Sequence, residues 1–166
     1  VAVVAGRTAS DVVSNALSLA IMSITGLLVG WRINNGIPKA LAAFALLLAF
    51  AYAFSWVMAL VGLMVPSVEV VNNASFVVIF PLTFIANTFV PSDGLPTPLR
   101  IFAEWNPVSS VTQATRELFG NIPPGTPEPG AWPLQHAVLY SLLWTVAIIA
   151  VFAPLSVRRY RRVTAR

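Results

Sequence analysis

Charged and apolar positions fall in long blocks along this chain. Residues 12–31, 40–68, 70–92 and 129–157 contain no Asp, Glu, Lys or Arg. A helix rising about 1.5 Å per residue needs about 20 apolar residues to cross about 30 Å of hydrocarbon. The blocks therefore predict four spanning helices, near 9–30, 40–64, 70–90 and 134–155. The first is the least apolar, with Ser14, Asn15, Ser18, Ser23 and Thr25. Ser14, Ser18 and Thr25 recur at helical steps, so this stripe should face other helices or a wet path. The second, Leu41 to Met64, is rich in Ala and Leu and favours a helix by propensity as well as hydropathy. The third contains Pro81, which removes a donor and kinks the helix, either as a fixed bend or as a hinge.

The pattern breaks between Pro91 and Pro133, where nine of the 13 prolines lie. Within this stretch Thr97–Trp105 and Pro107–Phe119 still read as helices. Asn106 followed by Pro107 is a start signal: a side-chain acceptor at the cap, then a residue that needs no N–H. Gly120 is a stop signal. Val108, Val111, Thr115 and Leu118 follow helical spacing. These are two short amphipathic helices at, or dipping into, one membrane surface. The expected fold class is an all-α membrane protein. It has four transmembrane helices and a short extracellular re-entrant or interfacial helix pair, 95–120, before the last span. Residues 156–166 form a cytoplasmic tail.

Composition agrees with the blocks. Of the 166 residues 57% are hydrophobic and only 10% charged, against about 25% charged in a soluble domain. That argues against a soluble globular enzyme and against disorder. The absence of Cys from the sequence excludes disulfides and zinc–thiolate sites. The net charge of +4 is too scattered for a nucleic-acid groove. Its placement sets orientation: Arg158, Arg159, Arg161, Arg162 and Arg166 follow the last span directly. Arginines there mark the cytoplasmic side, and four spans bring Arg7 to the same side. Arg32, Lys39, Arg100 and Arg116 then lie outside. Trp31, Trp105 and Trp132 fall at the outer boundaries, where indole favours the interface. The N-terminal residues do not follow a signal-peptide pattern.

Candidate chemistry is sparse. The single histidine, His136, has no metal-ligand companion in the sequence, and no GxSxG, HExxH or phosphate-binding loop is present. The chain is therefore not expected to be an enzyme or to bind a cofactor. Glu69 lies in a short inner turn after Pro66 and Ser67. It is either a carboxylate stabilising a helix start or a contact to a cytoplasmic partner.

The segment Pro81-Leu82-Thr83-Phe84-Ile85-Ala86-Asn87-Thr88-Phe89-Val90-Pro91 resembles a signature of ABC type-2 export permeases. Asn87 stands where that pattern often has a small residue. Asn106-Pro107, then Arg116 and the closing Gly120, match a second family feature, and Gly30-Trp31-Arg32 a third. Within the family the likeness is to drug exporter permeases of the daunorubicin-resistance type, over nearly the whole chain.

The resemblance implies a transmembrane permease subunit of an ATP-driven exporter in the plasma membrane. Its cargo would be a hydrophobic drug or lipid-like substrate. ATP and Mg would be bound by a separate cytoplasmic ABC ATPase subunit, and a second permease subunit would complete a dimer. Family members have six spans with both ends cytoplasmic. The four here look like the last four, without the first two spans and the main coupling helix. A non-transporting anchor subunit or a truncated, inactive permease are the rival readings. On the exporter reading Pro81, Pro91, Asn106, Pro107, Arg116 and Gly120 carry the family motif and gate the outer exit. Asp11, Ser14 and Ser18 line the path or a subunit interface. Leu99, Phe102, Trp105 and Phe119 touch cargo or anchor the interface, and Glu69 meets the ATPase.

Overall fold

The computed structural model describes residues 2–65, 67–86 and 94–164. They form α1 (Ala2–Val29), α2 (Ile37–Met64), α3 (Val68–Ile85), α4 (Thr97–Trp105), α5 (Pro107–Phe119), α6 (Trp132–Gln135) and α7 (Ala137–Thr164). No strand occurs among the described residues, as an all-α membrane protein requires. Among the described residues three helices are long and apolar enough to cross a bilayer: Ser10–Val29, Ile37–Met64 and Ala137–Arg161. The expected third span is shorter. Its described helix, α3, has 18 residues and rises about 27 Å, just under the hydrocarbon thickness. Residues 87–90 of that expected span, and Pro91 beyond it, lie outside the described residues.

Local chemistry explains the helix ends. Pro38 sits in the first turn of α2, after Gly36 at φ 81°, a value glycine adopts without strain. Val65, which precedes Pro66, turns extended and ends α2. Ser67 caps α3 by accepting from the Val70 N–H at 3.3 Å. The last helix does not stop at the expected tail. It continues through Arg158, Arg159 and Arg161 to Thr164, because arginine has good helix propensity. The segment expected as a separate tail from residue 156 is therefore mostly the end of α7.

Of the two expected placements, at a surface or dipping into it, α5 takes the second: it lies against both α2 and α7. Its buried residues are Ser109, Ser110, Val111, Gln113, Ala114 and Phe119, so the burial is not confined to the apolar stripe. Small side chains let helix backbones approach closely, and α2 answers with Ala40 and Ala43, α7 with Ala137 and Ser141. Two clusters record the wedge: Phe119 with Ala40 and Ala43, and Ala114 with Leu46 and Ala137. Farther along, α2 and α7 meet directly, where the Ser156 hydroxyl donates to the Trp56 carbonyl at 3.2 Å. The hydroxyls of Ser141 and Thr145 are satisfied by carbonyls one turn back, at 2.7 and 2.8 Å, so their burial leaves no orphan donor. By contrast α1 packs along α2 and has no buried residue in its spanning window.

Candidate functional site

The end of the bundle that carries α4, α5 and α6 holds most of the expected site residues. Asn106 is 3% exposed and works in two directions. Its Oδ1 accepts from the Val108 N–H at 2.9 Å, capping α5, while Pro107 fills the first helical position. Its Nδ2 donates to the Leu82 carbonyl at 2.7 Å, near the end of α3, where carbonyls run out of intrahelical donors. One side chain thus joins the start of α5 to the end of α3, one residue beyond Pro81. Pro81 itself is exposed within α3.

Gly120 closes α5 in the left-handed conformation, φ 73° and ψ 34°. Its N–H donates to the Glu117 carbonyl at 3.2 Å, and the Asn121 N–H to the Arg116 carbonyl at 2.9 Å. This pair of bonds is a Schellman ending. The α1–α2 turn then docks on it. The Asn34 N–H donates to the Phe119 carbonyl at 2.8 Å, and Asn34 Nδ2 to the Gly120 carbonyl at 3.1 Å. Asn35 Nδ2 donates to the Glu117 carbonyl at 2.7 Å. In the amide orientation that satisfies both neighbours, Asn121 donates to the Arg32 carbonyl at 2.9 Å and accepts from the Trp31 indole N–H. A Cβ on Gly120 would stand 2.8 Å from Asn35 Cγ, so glycine is needed for space as well as for φ.

Phe119, expected at a cargo surface, is instead 8% exposed. Its ring meets Trp31 edge-on at 4.9 Å and Phe44 at 5.2 Å, so it is core. Leu99, Phe102 and Trp105 do lie exposed on α4. Arg100 and Glu104 pair across one turn of that helix at 3.4 Å. The Tyr140 hydroxyl donates to the Trp105 carbonyl at 3.0 Å, holding the end of α4 against α7. Beside α5 a cleft of about 790 Å³ opens toward the 121–130 loop. Its walls include Glu104, Gln113, Arg116, Glu117 and Glu128. Gln113 is buried and donates to Glu117 at 3.0 Å. A shallow apolar groove of about 170 Å³ runs between Leu19, Met22 and Gly26 of α1 and Phe44 of α2.

The other expected residues lie elsewhere. Asp11 is half-buried, and Ser14 and Ser18 are exposed on α1. The Ser18 hydroxyl donates to the Ser14 carbonyl at 2.9 Å, and Thr25 does the same to Ile21 at 2.8 Å, so both hydroxyls are satisfied within their own helix. Glu69 is exposed in the first turn of α3, where the helix dipole favours a carboxylate. Sequence reading missed Asn34, Asn35, Asn121 and Tyr140. Asn34-Asn35-Gly36 is a recognisable turn triplet, but nothing local tells which helix end it meets.

Residues 1–119, through the end of α5, match the family described as ABC-2 type transporter. The daunorubicin resistance ABC transporter permease protein DrrB1 of Streptomyces coeruleorubidus is 32% identical over 160 residues. That match covers 96% of this chain and 53% of the relative, so the chain spans about half the length of the curated relative it matches. No solved structure matches. With its apolar spanning helices and this relationship, the chain is a multi-pass membrane protein that belongs to the ABC-2 type transporter family.

Proposed function

We propose that this chain is the membrane-spanning permease part of an ATP-driven exporter that carries a hydrophobic drug or lipid-like substrate out across the plasma membrane. The observation that carries the reading is the match, over 96% of the chain, to a permease named for drug resistance. ATP and Mg belong to a separate cytoplasmic ABC ATPase subunit, and a second copy of the permease completes the dimer. Both ends of this chain face the cytoplasm. The six cations at Arg7 and in residues 158–166, against four on the opposite side of the spans, support that orientation.

On this orientation the α5 wedge sits at the outer end, between the outer halves of α2 and α7. ATP-driven movement of the partner subunits rocks the helices between two packings. Asn106 links the wedge to Pro81-containing α3, so a change in α3 reaches α5 through one buried amide. Phe102 and Trp105 on the exposed face of α4 offer apolar contact to a departing cargo. Glu69, at the opposite end, contacts the ATPase side. The test is efflux of a fluorescent hydrophobic drug from cells expressing the chain with an ABC ATPase subunit. Drug retention equal to that of cells without the chain refutes transport and leaves the anchor reading.

A further inference from the structure

We infer that the outer ends of α1, α2 and α5 form one latched block, fastened by the Asn34-Asn35-Gly36 turn and Asn121. Opening at the outer face then occurs on the other side of α5, along its junction with α3.

Five contacts fasten the latch. Asn34 uses its backbone N–H on Phe119 and its side chain on Gly120, and Asn35 uses its side chain on Glu117. Asn121 returns the contact to Arg32 and Trp31. The Asn34 and Asn35 bonds fall on the carbonyls of Glu117, Phe119 and Gly120, at the helix end where intrahelical donors run out. The fit is also close in space, since no Cβ can be placed on Gly120 without moving Asn35. Phe119 adds an apolar pin, held edge-on by Trp31 of the turn and Phe44 of α2. α1 packs along α2 but has no buried residue in its spanning window, so the docked turn adds hydrogen-bonded contacts at its outer end.

The α3 side of α5 is built differently. There the buried Asn106 joins the α5 start to the α3 end through Leu82. Among the described residues, α3 bears an exposed ladder of Phe76, Phe80 and Phe84, and it touches α2, α4 and α5 only sparsely. Displacing α3 disturbs that junction. Displacing α1 alone must undo the latch bonds and the Phe119 pin. The block stands on these contacts; its part in opening rests on the export reading.

Hydrogen exchange on the full chain in lipid nanodiscs tests the block. Asn34→Ala with Asn35→Ala should speed exchange in peptides 26–36 and 116–122 together by roughly tenfold, which corresponds to about 1.4 kcal/mol. Peptides 82–86 and 106–110 should be unchanged. Asn106→Ala should give the reverse pattern. Loosening of all four peptides by either change, or no change at 116–122 in the double variant, overturns the block.

A second variant adds a bond instead of removing one. The Asn34 and Asn121 side-chain amides approach within 3.2 Å, and the sequence has no cysteine of its own. An Asn34→Cys/Asn121→Cys pair bridged by a short bis-methanethiosulfonate cross-linker should keep the efflux of its unbridged form, since the latch stays shut through the cycle. Efflux lost on bridging and restored by reductant overturns the proposal. If neither form exports, the export reading fails, while the exchange pattern still decides the block.

Discussion

Replacing Gly120 by alanine tests the packing of the α5 end most sharply. The residue stands at φ 73°, where an L side chain costs about 1–2 kcal/mol. The new Cβ also falls 2.8 Å from Asn35 Cγ, 2.9 Å from its Oδ1 and 3.1 Å from Asn34 Cβ. The turn must retreat, which strains two side-chain hydrogen bonds worth about 1 kcal/mol each. The sum is a destabilisation of about 2–4 kcal/mol. For a chain of this size each kcal/mol lowers Tm by about 2–4 °C, so the expected drop is roughly 5–15 °C. Thermal unfolding in neutral detergent reads this directly. The steric part is separable, because Asn35→Ala removes the clashing atoms at the cost of its own bond. The double variant Gly120→Ala/Asn35→Ala should therefore be less damaged than the sum of the two singles, by about 1 kcal/mol. A Tm within error of the parent, or strict additivity, refutes the reasoning.

Asn106→Ala should cost about 1–2 kcal/mol through the lost cap, and it should also reduce efflux while the protein stays in the membrane. Asn106→Ser should restore much of the stability and little of the efflux, since a hydroxyl can cap α5 without spanning to Leu82. Ser141→Leu forces a large side chain into a fully buried position on α7 and should lower stability by about 1–3 kcal/mol or more, read as loss of monodisperse protein on gel filtration. Ser18→Ala should be neutral to within about 0.5 kcal/mol, because its hydroxyl bonds only its own helix; a clear loss of efflux there would instead place it on the cargo path. For orientation, cysteines introduced singly at Thr126 and Ala165 should differ in intact cells, with an impermeant maleimide reacting at 126 and not at 165; the opposite result inverts the topology.

What was legible in the sequence was local. The limits of α5 follow from Asn106-Pro107 and Gly120, because capping depends on residues within one turn of each other. The long apolar blocks predict α1, α2 and α7 for the same reason: hydropathy is additive along a helix. The place of α5 was not legible. Burial of Ser109, Ser110 and Gln113 becomes favourable only when the small faces of α2 and α7 stand on either side, and no local pattern encodes that. Phe119 looked like an exposed interfacial aromatic until Trp31 and Phe44, 88 and 75 positions away, enclosed it. The docking of Asn34 on Gly120 joins residues 86 apart and was invisible for that reason. The arginines that end the last apolar block do not end α7, which persists to Thr164 because arginine is a good helix former.

The central claim is that this chain forms the membrane path of an ATP-driven exporter. Inside-out membrane vesicles that contain the chain and an ABC ATPase subunit provide the direct measurement, with uptake of a fluorescent hydrophobic drug followed after addition of ATP. The account predicts saturable uptake that requires both the chain and ATP hydrolysis and that falls with Asn106→Ala. Uptake that is the same without the chain, or that is unaffected by replacing ATP with a non-hydrolysable analogue, would contradict it.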